Sequence, residues 1–309
     1  MREHGIGVME VSNADRVVFP KDGITKGDVV GYYERVAERM LPFIEGRPLS
    51  VERFPRGIGG QGFMQKNVPE HAPEDLIGRY TLPKEDGGTT TYPMVSTAEG
   101  ITFFANLGVI TFHVPPARIE DEMHPDWAIW DLDPPPGSVD LVREAAKEMR
   151  SVLDGYGIPT LLLTSGSKGY HLRAPLAPTV DFESVAFVAR GTAAVAAAAN
   201  EDLMTLAFRK ADRGDRVFID WMRNTPRSTS VVPWSLRPRQ GAPVATPISW
   251  TELDQVAPDQ VRMRNIAERS RKRPWAKAQA IDLSAVVEKV EADLASSEIV
   301  LEPFDRFRS

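Results

Sequence analysis

The sequence predicts an α+β fold, and three observations carry that expectation. Strand patterns at 128–133, 160–164, 170–173 and 217–221 alternate unevenly with helical patterns near 139–154 and 182–199, which suits α+β better than a regular βαβ repeat. From Ser50 to Val114, β-branched and aromatic residues are interrupted by Arg56-Gly57-Ile58-Gly59-Gly60 and Glu85-Asp86-Gly87-Gly88, the pattern of short strands joined by turns, so this region is expected to be sheet. No repeat, Gly/Ser linker or low-complexity tract divides the 309 residues. Residues 1–273 are therefore read as one domain and 274–309 as a C-terminal extension.

The individual elements follow from local chemistry. Thr25-Lys26-Gly27-Asp28 has the form of a capping box, and Val29, Val30, Tyr33, Val36 and Met40 follow at helical spacing, predicting a helix over 26–41. Asp181 is the expected N-cap of the Ala-rich helix at 182–199. In the extension, Leu283, Val286, Val287, Val290 and Leu294 form one apolar stripe, predicting an amphipathic helix over 283–295 that packs back on the main domain.

Composition narrows the function classes. With 42% apolar and 26% charged residues the chain is of ordinary globular make-up, which excludes wholesale disorder and a fibrous rod. No cysteine is present, which removes disulfides, iron–sulfur clusters, Cys-based zinc sites and cysteine nucleophiles. The first residues lack the apolar core of a secretory signal, and no apolar run approaches the about 20 residues that span a bilayer, so a soluble cytoplasmic protein without a membrane partner is expected. The net charge of −6 argues against a phosphate-rich partner, but its distribution argues the other way. Residues 205–241 hold eight Arg/Lys against three Asp, and residues 262–277 hold seven basic residues against one Glu. Local basic surface on an acidic body suits a polyanion held at one face, with plain solvated surface as the alternative.

Four segments could carry chemistry. In Trp130-Asp131-Leu132-Asp133-Pro134 a strand would place Asp131 and Asp133 on one face, and adjacent carboxylates at a strand end suit Mg²⁺ or Mn²⁺. Arg216-Val217-Phe218-Ile219-Asp220-Trp221 is a strand pattern with one carboxylate; Asp220 either completes a three-carboxylate, two-metal cluster or pairs with Arg216 or Arg223. Thr164-Ser165-Gly166-Ser167-Lys168-Gly169-Tyr170-His171 offers backbone amides, two hydroxyls and a lysine to an anion, without the spacing of a P-loop. Pro233-Trp234-Ser235-Leu236-Arg237 offers a planar guanidinium with Trp234 beneath it.

In this order, Asp131-x-Asp133, Ser165-Gly166-Ser167-Lys168-Gly169-Tyr170-His171 and Ile219-Asp220 resemble the three motifs of archaeo-eukaryotic primase-type polymerases. More closely, the chain resembles the polymerase domain of the bacterial end-joining ligase D family, from about Val8 to about Ser270, supported by Ser12-Asn13-Ala14-Asp15, Thr89-Thr90-Thr91-Tyr92-Pro93 and His113-Val114-Pro115. The resemblance implies a primase-polymerase catalytic domain over 1–273. It implies that Asp131, Asp133 and Asp220 are catalytic and bind two divalent ions, Mn²⁺ or Mg²⁺. Ser165, Ser167, Lys168, His171 and Arg237, with His113 nearby, would hold an incoming NTP or dNTP, ribonucleotides being preferred. Arg16 and Lys26 would bind the 5′-phosphate of gapped or broken DNA; the adjacent DNA-stacking aromatics are represented by Phe63-Met64, so half that platform is a thioether. The implied work is gap filling or end extension in DNA repair in the bacterial cytoplasm, near the nucleoid. With no lysine–nucleotide ligase motif read in the chain, sealing is expected from a separate ligase and other end-joining or gap-repair proteins. De novo priming, a non-catalytic DNA-end-bridging module, and a sugar-nucleotide transferase that uses Asp131-x-Asp133 alone are the competing readings.

Overall fold

Two sheets with separate apolar cores meet along one seam, and the elements that close the seam also place the candidate site. The computed structural model describes residues 10–84 and 87–301. In chain order the elements are β1 (Val17–Phe19), β2 (Ile24–Thr25), α1 (Lys26–Ile44), β3 (Ser50–Arg53), β4 (Phe63–Gln65), β5 (Gly78–Pro83), β6 (Thr89–Met94), α2 (Ala98–Asn106), β7 (Val109–Val114), β8 (Trp127–Asp133), α3 (Val139–Gly155), β9 (Leu161–Thr164), β10 (Tyr170–Pro175), α4 (Phe182–Ala199), β11 (Met204–Thr205), β12 (Val217–Asp220), β13 (Ser230–Val231), β14 (Thr246–Ile248), α5 (Ile266–Arg269) and α6 (Ser284–Ser296). The larger sheet runs β11-β12-β8-β10-β9-β14 and the second β13-β7-β3-β4, while β1-β2 and β5-β6 are hairpins. All pairings are antiparallel except β11 with β12.

The second sheet buries Val51, Val109 and Phe112 against Tyr33, Val36 and Met40 of α1 and Ile101 and Phe104 of α2. α1 starts where the capping box predicts: the Thr25 hydroxyl accepts from the Asp28 N–H (3.2 Å) and the Asp28 carboxylate accepts from the Thr25 N–H (2.8 Å). α2 corrects the expectation of unbroken sheet from Ser50 to Val114. Its Ile101-Thr102-Phe103-Phe104 run is strand-like in composition, but the Thr97 hydroxyl caps it by accepting from the Gly100 N–H (3.2 Å), and packing on α1 overrides propensity. Of the Gly-rich break at 85–88, Glu85 and Asp86 lie outside the described residues. Lys84-Glu85-Asp86-Gly87 does have K-x-D-G spacing, so no motif-absence argument supports a separate ligase. Lys84 follows directly on β5 in the β5–β6 connection.

The larger sheet packs Trp130, Leu132, Leu172 and Ile219 against α3, α4 and α6. By length and composition alone α4 would pass as a membrane span, which the sequence reading did not register; it is a core helix, and its Ala189 carbonyl accepts from Trp130 Nε1–H (2.9 Å). α6 lays Val286, Val290 and Leu294 on α4, with Leu283 buried at its start.

Register along β8 is fixed at both ends. The turn before β10 comes so close to β8 that a Cβ on Gly169 would lie 1.7 Å from the Leu132 carbonyl oxygen. Nearer the start of β8, Asn224 is fully buried: its Oδ1 accepts from the Ile129 N–H (2.7 Å) and its Nδ2 donates to the Ile129 carbonyl (2.7 Å).

Two substitutions test this account by chemical denaturation. Leu283→Ala, which empties a fully buried position under α6, is expected to cost about 2–5 kcal/mol. Gly169→Ala must part β10 from β8 and is expected to cost about 3 kcal/mol or more, the upper end of overpacking effects.

Candidate active site

The antiparallel register lines His171 of β10, Asp131 of β8 and Asp220 of β12 across three neighbouring strands. Asp133 follows two residues after Asp131 and so shares its face, opposite Phe218. Asp131 and Asp220 are 8% and 6% exposed. Burial raises all three carboxyl pKa values; Asp133 and Asp220 are pushed up to about 6, with Asp131 adding repulsion to each. These are carboxylates short of positive charge.

One guanidinium partly supplies it. Arg223 Nη2 lies 3.0 Å from Asp220 Oδ2 and its Nε 3.4 Å from Asp131 Oδ2, while His171 Nε2 lies 3.3 Å from Asp131 Oδ1. Of the two pairings the sequence left open for Asp220, the one with Arg223 is present; Arg216 instead donates to the carbonyls of Asp212 and Arg213. Asp133 has no ion pair among the described residues. His171 is held well below the usual imidazole range by burial and by Arg173, Arg223 and Arg237, and His113 is pushed down to about 3 by burial and Arg237. Both rings are neutral at neutral pH and act as hydrogen-bonding groups, not as cations.

As the side chains lie, no group of three or more His, Asp or Glu among the described residues is set to hold a metal ion. The donor chemistry nevertheless fits one. Three buried carboxylates raised by desolvation and mutual repulsion, one of them without a counter-ion, form a hard-oxygen set that a divalent cation would relieve.

The opposite wall comes from the β9–β10 turn and the second sheet. A cavity of about 160 Å³ opens between Asp131 and Asp133 on one side and His113, Ser165, Ser167 and Arg237 on the other. His113 reaches it from β7, where it pairs with Ser50 and Val231. Arg237 and His113 both line the cavity, and their Nε and Nδ1 atoms are buried without hydrogen-bond partners. Gly166, at φ +65°, lets the Arg237 stem cross the turn: a Cβ there would lie 2.7 Å from Arg237 Cγ.

Most of the expected amide cradle is already spent within the protein. Ser167 N–H and Gly169 N–H both donate to the Ser165 hydroxyl oxygen (3.2 Å each), and Gly166 N–H donates to the Pro258 carbonyl (3.0 Å). Ser165 therefore organises the turn, leaving hydroxyl protons and the exposed Lys168 to meet a phosphate. Lys168 and Asp220 are outside the cavity lining. Trp234 does not pack beneath Arg237; it is buried with the Arg39 guanidinium 5.8 Å from its ring.

Arg16 and Lys26 come together beside a third cation. Lys26 is 3% exposed, and its Nζ donates to the Ser12 carbonyl (2.5 Å) and hydroxyl (2.7 Å). Its pKa is lowered by burial, Arg16 and Arg53. Arg53 sits 6.0 Å from the Phe63 ring, and Phe63 and Met64 are 46% and 49% exposed. Arg53 ends the strand that begins at Ser50 beside His113, about 10 Å away along β3.

Sequence reasoning missed Arg53 and Arg173 and treated Arg223 only as a pairing partner. Arg173 Nη2 donates to Ser230 Oγ (3.0 Å) and the Val231 carbonyl (2.7 Å) and lies 3.5 Å from His171 Nδ1. Its signal was present, since Arg173 is two residues from His171 and shares its strand face.

The LigD primase-polymerase domain model matches residues 25–275. The chain is 36% identical over 248 residues to the multifunctional non-homologous end joining protein LigD of Mycolicibacterium smegmatis, covering 79% of this chain and 32% of that protein. It is 28% identical over 247 residues to the bifunctional LigD of Bacillus subtilis, covering 79% and 39%. The polymerase domain of Mycobacterium tuberculosis Ligase D, solved in complex with DNA, superposes with a TM-score of 0.80 at 32% identity, covering 93% of this chain and 99% of that one. The chain thus spans about a third of the length of its mycobacterial relatives. A carboxylate row on β8 and β12, a Ser-Gly-Ser-Lys turn leading to His171, and these matches over most of its length place the chain in the LigD primase-polymerase domain family.

Proposed function

We propose that the protein is a template-directed nucleotidyltransferase that adds nucleotides, preferably ribonucleotides, at short gaps or ends of DNA during end-joining repair in the bacterial cytoplasm. The observation that carries this reading is the row His171–Asp131–Asp220 with Asp133 beside it: a protein that only gripped DNA would gain nothing from carboxylates facing phosphates.

Asp131, Asp133 and Asp220 would hold two divalent cations, Mn²⁺ or Mg²⁺. When bound, such ions lower the pKa of a primer 3′-hydroxyl and neutralise charge on the departing pyrophosphate. The chain's own side chains do the positioning. Arg237, whose side chain lines the cavity, and the exposed Lys168 of the adjoining turn would grip the triphosphate. Ser165, Ser167 and the neutral imidazoles of His171 and His113 would donate hydrogen bonds to phosphate and sugar oxygens without adding charge. The buried floor of Trp130 and Leu132 keeps the carboxylates from relaxing.

Arg16, Lys26 and Arg53 would take the 5′-phosphate across the gap, with Phe63 offering a base-stacking face and Met64 a softer one. The polymerised end would then pass to a DNA ligase, an end-joining partner outside residues 1–309.

The test is nucleotide addition on duplexes with gaps of one to three nucleotides, with and without a downstream 5′-phosphate, using ATP or dATP opposite a template T in Mn²⁺ and in Mg²⁺. Asp131→Asn is expected to lose at least about 100-fold in rate, the scale of removing one electrostatic stabiliser. The double substitution Arg16→Met with Lys26→Met is expected to abolish the advantage of a 5′-phosphate while leaving addition at phosphate-free gaps within a few-fold. Full activity of Asp131→Asn would overturn the polymerase assignment.

A further inference from the structure

Among the described residues, Arg223 is the one Arg or Lys in ion-pair contact with the carboxylate row. Its backbone belongs to a short 3-10 turn, Met222–Asn224, pinned to β8 by the two Asn224–Ile129 hydrogen bonds (2.7 Å each). Its head group is far less constrained. The side chain is 37% exposed, lines the cavity and, beyond the carboxylates, has only a 3.4 Å contact from Nη1 to the Thr229 carbonyl. Nη2 lies 3.0 Å from Asp220 Oδ2, and the buried Nε lies 3.4 Å from Asp131 Oδ2 without a hydrogen bond, so a single planar group spans two strands by charge.

Asp131 and Asp220 are two of the residues that would hold a divalent ion, and Arg223 lies against one oxygen of each. A divalent ion and a guanidinium within about 4 Å in a buried corner repel strongly, because little water screens them. Among the described residues no other Arg or Lys nitrogen lies within 4.0 Å of Asp131, Asp133 or Asp220.

We propose that Arg223 is a resident counter-cation that occupies the Asp131–Asp220 pair in the ion-free protein and must leave it for a divalent ion to bind, so that guanidinium and ion are mutually exclusive occupants. The inference rests on the reading of these carboxylates as ligands of divalent ions. It makes Arg223 a positioning residue: the pair is held on one side of the cavity before any ion arrives, and the contact weakens the binding of that ion. The anchored turn and the partly exposed side chain suit such an exchange, since a guanidinium that lines the cavity beside Thr229 could leave the carboxylates without moving β8 or β12.

The experiment is an Mn²⁺ titration of the full chain at pH 7.5 without nucleotide, followed by the electron paramagnetic resonance of free Mn²⁺, on wild type, Arg223→Gln, Arg223→Lys and Asp131→Asn. Removing the competitor is expected to tighten Mn²⁺ binding at least about fivefold in Arg223→Gln, with Arg223→Lys intermediate. The ion-free melting temperature of Arg223→Gln should fall and its rise on Mn²⁺ addition should exceed that of wild type. Equal or weaker Mn²⁺ binding by folded Arg223→Gln, with binding by wild type intact and lost in Asp131→Asn, overturns the exchange and leaves the ligand reading standing. Failure of wild type and Arg223→Gln alike to bind Mn²⁺ overturns both. Should Arg223→Gln not fold, nuclear magnetic resonance of wild type decides. The Arg223 Nε–H signal, assigned by its loss in Arg223→Lys, should shift and exchange faster with water on Mg²⁺ addition, and an unchanged signal at saturating Mg²⁺ overturns the proposal.

Discussion

Like charge held out of water at the end of β8 is the constraint on which the rest of the structure depends. Asp131, Asp133 and Asp220 are each raised above their ordinary pKa by burial, Asp133 and Asp220 to about 6. A carboxyl with a higher pKa folded than unfolded favours the folded state while protonated and loses that contribution as pH rises through its folded value, here about 6. At neutral pH the cluster therefore works against folding. Among the described residues one guanidinium forms ion pairs with two of the three carboxylates, Asp133 has none, and the imidazoles beside them are neutral. The deficit is carried by apolar packing elsewhere, by Trp130, Leu132 and Ile219 buried on the far side of the same strands.

The row would be useless if the sheets could slide, and buried polar groups close the seam. Arg173 is enclosed, its pKa pulled down to about 9 by burial, and it spends Nη2 on Ser230 and Val231 of β13. Shifting one sheet past the other would strand a buried guanidinium, costlier than losing an apolar contact. Arg47 does the same further along, almost fully buried and paired with Asp126 while donating to the Pro115 carbonyl (3.1 Å). Tyr33 hydroxyl donates to the Ile110 carbonyl and accepts from the Leu236 N–H (3.0 Å), tying α1 to the segment that presents Arg237. These groups join elements far apart in sequence and fix one relative placement of the sheets, which non-directional burial alone would leave loose.

That distinction explains how much was legible in the sequence. Strands β8, β10 and β12, helices α1, α3, α4 and α6, and the order of the carboxylate, Ser-Gly-Ser-Lys and Ile-Asp segments were all readable, because period, caps and punctuation are local properties. α2 was lost, because Ile101-Thr102-Phe103-Phe104 resembles a strand until the Thr97 cap and the face of α1 are known. The amide cradle was misread because spacing shows which amides are near a glycine, not that Ser165 has already accepted two of them. Trp234 was placed under Arg237 by proximity in sequence, whereas its ring faces Arg39 of α1. Arg53 needed the fold as well, since it meets Lys26 and Arg16 only once β3 lies beside the chain before α1.

Arg16, Lys26 and Arg53 are the electrostatic inverse of the carboxylate row, and the two sites explain each other. Here three cations crowd together, and the buried Lys26 ammonium is satisfied by a carbonyl and a hydroxyl, not by an acid. Such a cluster wants an anion as the carboxylates want cations. β3 spans the interval, with Ser50 opposite His113 at one end and Arg53 at the other, a separation of about 10 Å. That is the length of a few nucleotides of backbone. A net charge of −6 hides this arrangement, because a partner that approaches within a screening length feels each site and not the sum. A 5′-phosphate at the cation cluster and an ion-bound nucleoside triphosphate at the carboxylates would neutralise both imbalances at once, and the unfavourable electrostatics of the free protein would then become the specificity of the loaded one.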